Sequence, residues 1–526
     1  MELSLLDYIA FIGFLLLVIG VSLWQSRKEE DTADYFLAGR GLAWWAIGLS
    51  LIASNISTEH FVGMAGQGFK EGIGMAIASY EWIAALALVI VAFFFLPRFL
   101  KAGIYTMPEY LEYRYSRPVR TLMSGLMLLF YVSITMSVVL HLGAKPLTTI
   151  FGLETNTGIW LIGLIAGAYT IYGGLKAVVW SDIIQATALL LGGAVITVLA
   201  LQEVGGWTVF TEQAGGRLDA VLPADHDTYP WYTIFIGGMW IPNLFYWGLN
   251  QFITQRTLGA KSIREGQRGV LFGATLKLII PLIVVLPGIA AFILYADQIP
   301  LLENPDGTTR PDVDAAFPIL LKNLLPTGLT GLMLAALFGA VVSTLDSLLN
   351  SASTLFTLDF YKTYIKPQAS ADRLVLVGRI TTGVLILFAC LWAPVIGSLE
   401  SGGFYEFIQL YWGYVQPGIL AVFLLGFAWK RVTSSAAIVG ILTNIPVYWF
   451  LLKQYPNAPF LNHMGISFLV VIVVMIIVSL LGKEPEPMKL PENDSAHTDP
   501  GPMPMSLKLW AALIVLATAA LYIYFS

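Results

Sequence analysis

Four ionisable residues lie within or at the ends of long apolar stretches of the sequence: Glu81, Asp182, Lys277 and Asp346. A charged side chain is costly in an apolar segment of membrane-spanning length, so each is a candidate for handling an ion or a polar substrate. The alternative for Glu81 and Lys277 is a purely structural ion pair. The alternative for Asp182 is a cap at a nearby helix end.

A run of polar residues interrupts another apolar stretch. Residues 53–60 read Ala-Ser-Asn-Ile-Ser-Thr-Glu-His, with six polar side chains among eight residues. Unwound backbone survives at membrane depth where it lines a cavity or is buried in protein. Pro242-Asn243 indicates a second break, within 232–254, although a proline alone is also compatible with a simple kink. Two interrupted helices in corresponding halves are typical of transporters with inverted repeats and a site at the bilayer midplane.

Hydroxyl residues recur on one face of a later apolar stretch. Ala340, Ser343, Thr344 and Ser347 have the i, i+3, i+4, i+7 spacing of a helix face, and Asp346 lies among them. Hydroxyl oxygens and the carbonyls of unwound backbone can replace the water shell of sodium. The alternative is that small hydroxyl residues let helices pack closely.

The composition is that of a protein that crosses the membrane many times. Of 526 residues, 57% are hydrophobic and 12% charged, with mean hydropathy +0.74, whereas soluble domains have about 25% charged residues. This excludes a water-soluble globule, a disordered chain and a nucleic-acid binder, and the net charge of −5 implies no polyanionic partner. A single cysteine, Cys390, excludes a disulfide framework, and the sequence has no zinc-type cluster. Without a catalytic triad or phosphate-binding loop, no enzyme activity is predicted.

About 20 mostly apolar residues are needed for a helix to cross the bilayer. Fourteen stretches meet this requirement: 5–25, 43–66, 74–97, 121–147, 157–173, 183–203, 232–254, 270–295, 327–357, 375–397, 404–429, 434–452, 462–481 and 507–525. The first is not predicted to be a cleaved signal peptide, because it has no basic N-terminal region and is followed by Gln25-Ser26-Arg27-Lys28.

The basic residues give the expected orientation. Alternate loops between these spans carry 22 of the 29 Lys and Arg, the opposite loops carry six, and Lys277 lies inside a span. Because cytoplasmic loops are rich in Lys and Arg, both termini are expected on the outer side of a plasma membrane, such as the bacterial inner membrane. The Pro-, Glu- and Asp-rich segment around 483–508 is expected to be a poorly ordered cytoplasmic linker.

Several motifs in order along the chain resemble the solute:sodium symporter family, nearest to its sodium/galactose and sodium/glucose cotransporters. The motifs are Ala-Ser-Asn-Ile-Ser at 53–57, Ala-Ser-Tyr-Glu-Trp at 78–82, Tyr-Gly-Gly-Leu-Lys-Ala-Val-Val-Trp-Ser-Asp at 172–182, Asn-Leu-Phe-Tyr-Trp-Gly at 243–248, Gln-Arg-Thr-Leu at 255–258, Leu-Asn-Ser-Ala-Ser-Thr-Leu-Phe-Thr-Leu-Asp at 349–359 and Pro-Gly-Ile-Leu-Ala-Val-Phe at 417–423. The resemblance covers essentially the whole chain.

The resemblance implies an all-α polytopic membrane protein with the leucine-transporter fold, in which five helices are repeated with inverted topology. The implied division is an extra helix and cytoplasmic linker at 1–42, a transport core at 43–429, and three further helices with a linker at 430–526, about fourteen transmembrane helices in all. The implied function is sodium-coupled import of a hexose-type sugar by alternating access.

The family's functional positions carry over residue by residue. The sodium site is implied at Ala53, Ile56, Ala340, Ser343 and Thr344. The sugar site is implied at His60, Glu81, Tyr131, Asn243, Lys277 and Gln409. Tyr246 matches the aromatic residue that closes the pocket towards the cytoplasm, and the outer gate is implied at Met64, Tyr80 and Tyr405. A second cation site is implied at Asp182, Ser343, Asp346 and Ser347.

The residue types agree with a sugar site. A pyranose needs side chains that donate and accept hydrogen bonds, together with aromatic rings against its C–H surface. The sequence departs from the family pattern in three places: His60 matches animal glucose carriers rather than bacterial galactose carriers, Ala84 replaces a usual polar residue, and Asp346 replaces a small or hydroxyl residue.

Other functions remain open at this point. One is sodium symport of another small solute, such as an amino acid, sialic acid, a vitamin or an anion. Another is a sensor or channel built on the same scaffold, although the 482–508 linker offers no signalling domain. The expected partners are sodium, a sugar and the lipid bilayer, and not nucleic acid. The oligomeric state is not predicted.

Overall fold

The computed structural model of the chain describes residues 4–25, 32–303, 307–399, 403–485 and 501–526. Within the helices, the side chains of residues 22–23, 25, 32–34, 169 and 172–174 lie outside this description. The predicted basic flank at 26–28 and the part of the predicted linker at 486–500 also lie outside the described residues.

The described chain is almost entirely helical, as expected where every backbone group must find its partner within its own segment. The first α-helices are α1 Leu5–Gln25, α2 Thr32–Leu37, α3 Trp44–Asn55, α4 Ala65–Phe69, α5 Ser79–Ile90, α6 Leu96–Ala102, α7 Met107–Arg114, α8 Arg117–Phe130, α9 Met136–Phe151, α10 Thr155–Val204, α11 Trp207–Gln213 and α12 Trp231–Phe235. Next come α13 Trp240–Leu249, α14 Gln251–Leu258, α15 Ile263–Tyr295, α16 Ala316–Leu324, α17 Leu329–Thr354, α18 Ala371–Leu399, α19 Phe404–Trp412, α20 Gln416–Ala428, α21 Ser434–Gln454, α22 Phe460–Leu481 and α23 Met505–Tyr524.

Shorter elements join or extend these helices. Wider, π-helical turns occupy Glu59–Met64, Val91–Phe95, Tyr131–Thr135 and Leu355–Ile365. Tighter 3₁₀ turns occupy Ala38–Arg40, Gly74–Ala78, Gly215–Leu218, Ala296–Gln298 and Val313–Ala315. A small antiparallel hairpin, β1 Leu301–Glu303 and β2 Thr309–Pro311, lies in the long connection between α15 and α16, with Leu302 opposite Arg310.

Nine helical segments of the described chain are long and apolar enough to cross a membrane, or ten if α19 and α20, bent by 48°, form one span. Four of the fourteen predicted stretches remain. Two of them lie in α1 and α10, whose described side chains give the apolar segments Leu5–Val21 and Thr155–Ala168. The other two, 43–66 and 232–254, are interrupted. The two interrupted stretches are those for which the sequence predicted a break.

Helix α10 contains two predicted spans, 157–173 and 183–203, without a non-helical loop between them. Its two halves pack against different neighbours: Gly163 on Cys390 and Gly167 on Ile386 in α18, then Asp182 on Ser343 and Gly192 on Met333 in α17. Each half is antiparallel to its neighbour, and α17 and α18, as consecutive spans, run in opposite directions. The two halves of α10 therefore also run in opposite directions, so the chain bends sharply between them. A straight helix of this length would measure about 75 Å and would far exceed the bilayer.

The first predicted break is present but shorter than expected. Helix α3 ends at Asn55, Ile56 and Ser57 are not helical, and the helix resumes at Thr58 and continues as a π-helical turn from Glu59. The polar run therefore divides between a helix end, a two-residue break and a new helical start. The Ile52 carbonyl accepts a hydrogen bond of 2.7 Å from the Ile56 N–H. The carbonyls of residues 53–55 come after it at the helix end, where no further turn of α3 supplies N–H groups.

The second predicted break is in a different place. Pro242 and Asn243 lie inside α13, and the chain is interrupted on either side, at residues 236–239 and at Asn250. Prediction of the break at 242–243 was therefore wrong, although the stretch is broken. Pro242 occupies the first turn of α13, where the missing proline N–H has no helical partner to lose.

The first interrupted stretch packs closely on α15 through small residues. A Cβ added to Gly288 would lie 2.0 Å from the Ala65 carbonyl oxygen, and one added to Gly68 would lie 2.8 Å from the Val285 carbonyl oxygen. Such close backbone contact is how membrane helices gain van der Waals energy without a hydrophobic driving force. In the first half, a Cβ added to Gly48 of α3 would lie 2.9 Å from the Gly269 carbonyl oxygen, so both halves are held against the helix that carries Lys277.

Candidate functional site

The ammonium of Lys277 is the centre of a buried polar cluster. Lys277, in α15, is fully buried and donates hydrogen bonds to the Glu81 carboxylate of α5 and to the Asn55 side-chain oxygen at the end of α3. Its Nζ also lies 4.8 Å from the centre of the Trp247 ring. Glu81 and Lys277 are therefore paired, which was the alternative to their predicted role as sugar contacts, and the pair joins α15 to α5 and to the first interrupted stretch.

A second partner holds the other side of the carboxylate. His60 Nε2 lies 3.3 Å from Glu81 Oε1, and His60 Nδ1 has no hydrogen-bond partner among the described residues. A buried charge pair is stable only when its remaining hydrogen-bonding capacity is also met. Here Glu81 is held by Lys277 and His60 together.

These residues border a small cavity. Its lining residues are Asn55, Glu59, His60, Tyr80, Glu81, Pro242, Asn243, Tyr246, Trp247, Tyr405, Gln409 and Gln416. The cavity volume is about 40 Å³, whereas pockets that hold small ligands measure about 300–1,000 Å³. The side chains are closed over the site, and a hexose would enter only if they moved apart.

The structure brings most of the predicted sugar residues together. His60, Glu81, Asn243 and Gln409 line the cavity, and Lys277 contacts the lining from behind Glu81 and Asn55. Asn243 lies one turn into α13, and its side chain donates to the Met239 carbonyl at 3.0 Å. Four separate elements thus supply donors and acceptors to one small volume.

Tyr131 is not among the residues that line this cavity. Its hydroxyl donates to the Asn250 side-chain oxygen, and its ring lies 5.7 Å from Phe252 and 5.9 Å from Trp412. Tyr131 therefore bonds to Asn250, the residue between α13 and α14, and lies outside the cavity where the other predicted sugar residues meet.

The predicted gate residues are aromatic neighbours of the cavity. The Tyr80 and Tyr405 rings pack edge to face with centroids 5.4 Å apart, and Tyr229 packs on Tyr80 at 6.0 Å. On another side, the Tyr246 hydroxyl accepts a hydrogen bond of 3.0 Å from Asn55. Met64 is fully buried beside Gly63, which packs on Tyr405, but it does not line the cavity.

Three lining residues were not assigned a role from the sequence. Asn55 and Glu59 belong to the polar run at 53–60, which is a signal that could have identified them. Gln416 begins α20 after a bend, and nothing in its sequence context distinguished it from a helix-capping residue. Asn55 is the most significant of the three, because it bonds both Lys277 and Tyr246.

The predicted sodium residues lie where α3 meets α17. Ser54 Oγ and Ser347 Oγ are 3.3 Å apart, so the end of α3 and the middle of α17 are in contact. Ala53 belongs to the last turn of α3, and Ile56 follows that turn. The Thr344 hydroxyl is buried without a hydrogen-bond partner among the described residues.

The remaining predicted sodium ligands lie on the same helix. Ala340 and Ser343 belong to the buried stretch of α17, where Ser343 donates to Asp182. Free backbone carbonyls and hydroxyls are the oxygen ligands that sodium uses in discontinuous helices. No cluster of three or more His, Cys, Asp or Glu that could hold a metal occurs in the described part of the chain.

The residues of the predicted second cation site surround an arginine. Arg256 is fully buried, and its guanidinium lies 3.3 Å from Asp182 and donates to Ser347. Asp182 also accepts from Ser343 and, at 2.5 Å, from Ser50. Arg256 is one of the 22 basic residues expected in the loops between spans, and that expectation is wrong, because it lies in α14 against α3 and α17.

Asp346 has a different hydrogen-bond partner. One carboxylate oxygen accepts from Thr170, and the other has no hydrogen-bond partner among the described residues. Asp182 and Ser347 contact the Arg256 guanidinium, and Ser343 contacts Asp182. Asp346 bonds to Thr170, which lies on α10 as Asp182 does.

The arrangement defines a class of protein. Two interrupted helices bring backbone ends, hydroxyls and a hydrogen-bonding cluster to the middle of an apolar helical bundle, which is the organisation of a secondary transporter with the leucine-transporter fold. The model of the sodium:solute symporter family matches residues 35–444. The chain belongs to this family of sodium-coupled symporters.

Similar proteins support the assignment. The chain is 44% identical over 497 residues to a sodium/glucose cotransporter of Vibrio parahaemolyticus, covering 91% of each protein. It is 34% identical over 525 residues to sodium/glucose cotransporter 1 of Oryctolagus cuniculus, covering 91% of this chain and 79% of the relative. A solved substrate-bound, outward-open Na⁺-coupled sialic acid symporter superposes with a TM-score of 0.80 at 25% identity, covering 92% of this chain and 99% of the other.

Proposed function

We propose that this protein imports a hexose-type sugar, glucose- or galactose-like, together with sodium by alternating access. The observation that carries the proposal is the convergence of His60, Glu81, Asn243 and Gln409 on one cavity, with Lys277 bonded to Glu81. A neutral, hydroxyl-rich ring matches this mixture of donors and acceptors. The similarity to sodium/glucose cotransporters supports the same substrate class.

Aromatic residues supply the rest of a sugar site in this proposal. Tyr80, Tyr246, Trp247 and Tyr405 border the cavity and offer rings for the C–H surface of the sugar. Tyr246 closes the pocket towards the cytoplasm, and Tyr80, Tyr405 and Met64 close it towards the outside. The closed cavity supports a cycle in which one set of rings must separate before sugar can enter.

Sodium binds in this proposal between the interrupted helix and α17. The Ala53, Ile56 and Ala340 carbonyls and the Ser343 and Thr344 hydroxyls are the proposed ligands. Bound sodium fastens α3 to α17 and favours the outward-open state that accepts sugar. Inward opening then separates the two elements and releases sodium and sugar on the cytoplasmic side.

The sodium gradient is sufficient for accumulation. One charge that crosses a potential of 100 mV gains about 2.3 kcal/mol, and a tenfold sodium gradient adds about 1.4 kcal/mol. Together they sustain roughly 500-fold sugar accumulation at a ratio of one sodium to one sugar. A second sodium at Asp182, Ser343, Asp346 and Ser347 would raise this limit, provided that Arg256 moved away from Asp182.

The proposed setting is a plasma membrane, such as the bacterial inner membrane, with both termini outside. The uneven distribution of Lys and Arg supports this orientation. Residues 43–429 form the proposed transport core, with 1–42 before it and 430–526 after it. Contacts of the interrupted helices with α15 and α17 support the same division.

An alternative substrate has one specific observation in its favour. The solved structure with a TM-score of 0.80 is that of a sialic acid symporter, and sialic acid carries a carboxylate. In that case Lys277 or Arg256 would have to turn from its present carboxylate partner to the substrate. Both cations are paired here, which favours a neutral sugar.

The decisive experiment is a counterflow screen in proteoliposomes with labelled glucose, galactose, myo-inositol and sialic acid, with and without sodium. We expect sodium-dependent exchange of a neutral hexose and its loss in Lys277→Ala, with sodium binding retained. Exchange of sialic acid but of none of the hexoses would contradict the proposed substrate. Sugar exchange that is independent of sodium would contradict the coupling.

A further inference from the structure

Gln416 is a buried amide in the wall of the candidate sugar cavity. The residue is 2% exposed, and its Oε1 has no hydrogen-bond partner among the described residues. Buried polar groups are nearly always hydrogen-bonded, so an unpartnered amide oxygen needs an explanation. Its position supplies one, because Gln416 lines the same small volume as His60, Glu81 and Gln409.

Other polar groups of this wall are already engaged within the protein. The Glu81 carboxylate accepts from Lys277, and the Asn55 side chain bonds both Lys277 and Tyr246. The Gln416 oxygen differs from these groups, because the closed cavity leaves it without a bond. Taking a buried acceptor out of water without a partner costs free energy, and a ligand that donates a hydrogen bond would offset this cost.

A second wall residue is in the same condition. His60 Nδ1 also has no hydrogen-bond partner among the described residues. His60 lies in the π-helical turn after the first break, whereas Gln416 begins α20, so the two groups come from separate elements. A ligand with several hydroxyl groups can bond both, because each hydroxyl donates and accepts. A single bound water molecule is the alternative.

The chemistry around Gln416 favours a neutral ligand that donates hydrogen bonds. The amide oxygen is an acceptor, and the carboxylates of Glu59 and Glu81 line the same cavity. A carboxylate on the ligand would be repelled by these acceptors, and the nearby Lys277 is already paired with Glu81. A hydroxyl can donate to the Gln416 oxygen, and the amide nitrogen can donate to a second hydroxyl.

Gln416 and Gln409 lie on opposite sides of a bend. Helix α19 carries Gln409, α20 begins at Gln416, and the two helices are bent by 48°. Tyr405, which belongs to the proposed outer gate, lies one turn before Gln409 on α19. A sugar bonded to both amides would therefore hold the helix of the outer gate to α20.

We propose that Gln416 is a specificity-determining residue of the sugar site. Its amide bonds one hydroxyl of the hexose and selects for substrates that carry a hydroxyl at that ring position. The inference rests on the proposed function and deepens it by one contact. Gln416 lies just before the motif at 417–423, so the sequence resemblance assigned it no role.

The experiment measures how well each monodeoxy derivative of D-glucose and D-galactose displaces the labelled parent sugar from the purified full-length protein in saturating sodium. In the wild-type protein, loss of the hydroxyl that Gln416 bonds should weaken binding at least about tenfold, because a site built to bond a hydroxyl rejects the analogue that lacks it. In Gln416→Met, which keeps the side-chain length without the amide, this one penalty should disappear. The penalties at the other ring positions should remain.

The matched control is Gln185→Met in α10. Gln185 is also 2% exposed with an unpartnered Oε1 among the described residues, but it packs on Gly339 and does not line the cavity. This variant should keep the wild-type pattern of penalties. The same pattern in Gln416→Met, with or without a uniform loss of affinity, would overturn the proposal. That result is expected if Gln416 bonds only a structural water.

Folding of each variant is checked by its unfolding temperature in detergent. If Gln416→Met does not fold or binds no sugar, Gln416→Ser shortens the side chain and is held to the same expectation. Failure of the wild-type protein to bind either hexose would contradict the proposed function, and this inference with it. Hexose binding by the wild-type protein, with an unchanged pattern in the variants, would contradict the role of Gln416 alone.

Discussion

At the scale of single residues, Lys277 has two roles that must be separated. It neutralises Glu81 in a fully buried setting, and it is a proposed sugar contact. Removing one member of a buried pair leaves an uncompensated charge, whereas replacing both by apolar residues is often neutral. This asymmetry makes it possible to distinguish a structural pair from a binding pair.

Lys277→Met and Glu81→Met should each destabilise the protein strongly, by about 3–5 kcal/mol. The double variant should recover most of the unfolding temperature, because no unpaired charge remains. If the pair also binds sugar, the double variant should still show no sugar binding. A double variant that is stable and binds sugar with unchanged affinity would make the pair purely structural.

The sodium proposal makes a residue-level prediction about Thr344. Its buried hydroxyl has no partner among the described residues, so Thr344→Ala breaks no visible hydrogen bond. We expect sodium affinity to fall at least tenfold, equivalent to about 1.4 kcal/mol, with little change in unfolding temperature. The readout is the sodium dependence of labelled sugar uptake.

Thr357 provides the control, because its buried hydroxyl also lacks a partner and it lies beyond α17 in the π-helical extension. Thr357→Ala should leave sodium affinity unchanged. Equal loss of sodium affinity in both variants would indicate a general effect on this helix rather than the loss of a ligand.

At the scale of elements, α1 is attached to α17 by a carboxylate. Asp7 is 4% exposed and accepts backbone N–H groups of Gly328 at 2.7 Å and Gly331 at 2.9 Å. A carboxylate at a helix N-terminus satisfies free N–H groups and interacts favourably with the helix dipole. Helix α1 therefore caps the helix that carries the proposed sodium hydroxyls.

Asp7→Ala should lower stability by about 0.5–2 kcal/mol, the usual cost of losing a helix cap. Asp7→Asn keeps an acceptor oxygen, so it should lower stability much less than Asp7→Ala does. The measurement is the unfolding temperature in detergent of the three proteins. Equal destabilisation by both changes would show that the charge of Asp7, rather than its hydrogen bonds, matters most.

At the scale of the whole molecule, a polar cluster closes the bundle at one end of the proposed pathway and an aromatic contact closes it at the other. Near one end, the fully buried Asp359 accepts from Arg120, from Ser124 at 2.5 Å and from Thr106 at 3.0 Å, which joins α7, α8 and the extension of α17. At the other end, the aromatic contact of Tyr80 and Tyr405 covers the cavity. Alternating access requires these two closures to open in turn.

The native cysteine makes this motion measurable. Cys390 is 1% exposed and the sequence has no other cysteine, so the unmodified protein should not react with a membrane-impermeant thiol reagent. In Gln416→Cys, which places a thiol in the cavity lining, sodium should speed labelling from outside and added sugar should slow it. Labelling that is insensitive to both solutes would contradict the proposed sodium-driven opening.

Much of this architecture is predictable from the sequence, because the bilayer imposes simple local rules. Apolar segments of sufficient length become helices, and polar residues within them must lie inside the bundle. The positions of Glu81 and Lys277 inside spans therefore indicated functional residues, with an ion pair as the alternative, and the polar run at 53–60 indicated an interruption. The family, with its sodium coupling, was recognisable from motifs in the same segments.

Exact break positions were less predictable, because local propensity does not decide them. Pro242 suggested a break where the helix in fact begins, since a proline is tolerated in a first turn. The two real interruptions depend on how α12, α13 and α14 pack against their neighbours. The reversal within α10 likewise depends on its contacts with α17 and α18 rather than on a loop-forming sequence.

The sequence by itself determined that this chain is a helical membrane transporter, since hydropathy, charge distribution and motif order are properties of the chain alone. Only the tertiary structure decided which polar groups meet. Arg256, which was expected in a basic loop, is buried against Asp182. Asn55 joins Lys277 to Tyr246. The physical reason is that a buried polar group is stable only beside its partner, and such partners lie scores or hundreds of residues apart in sequence.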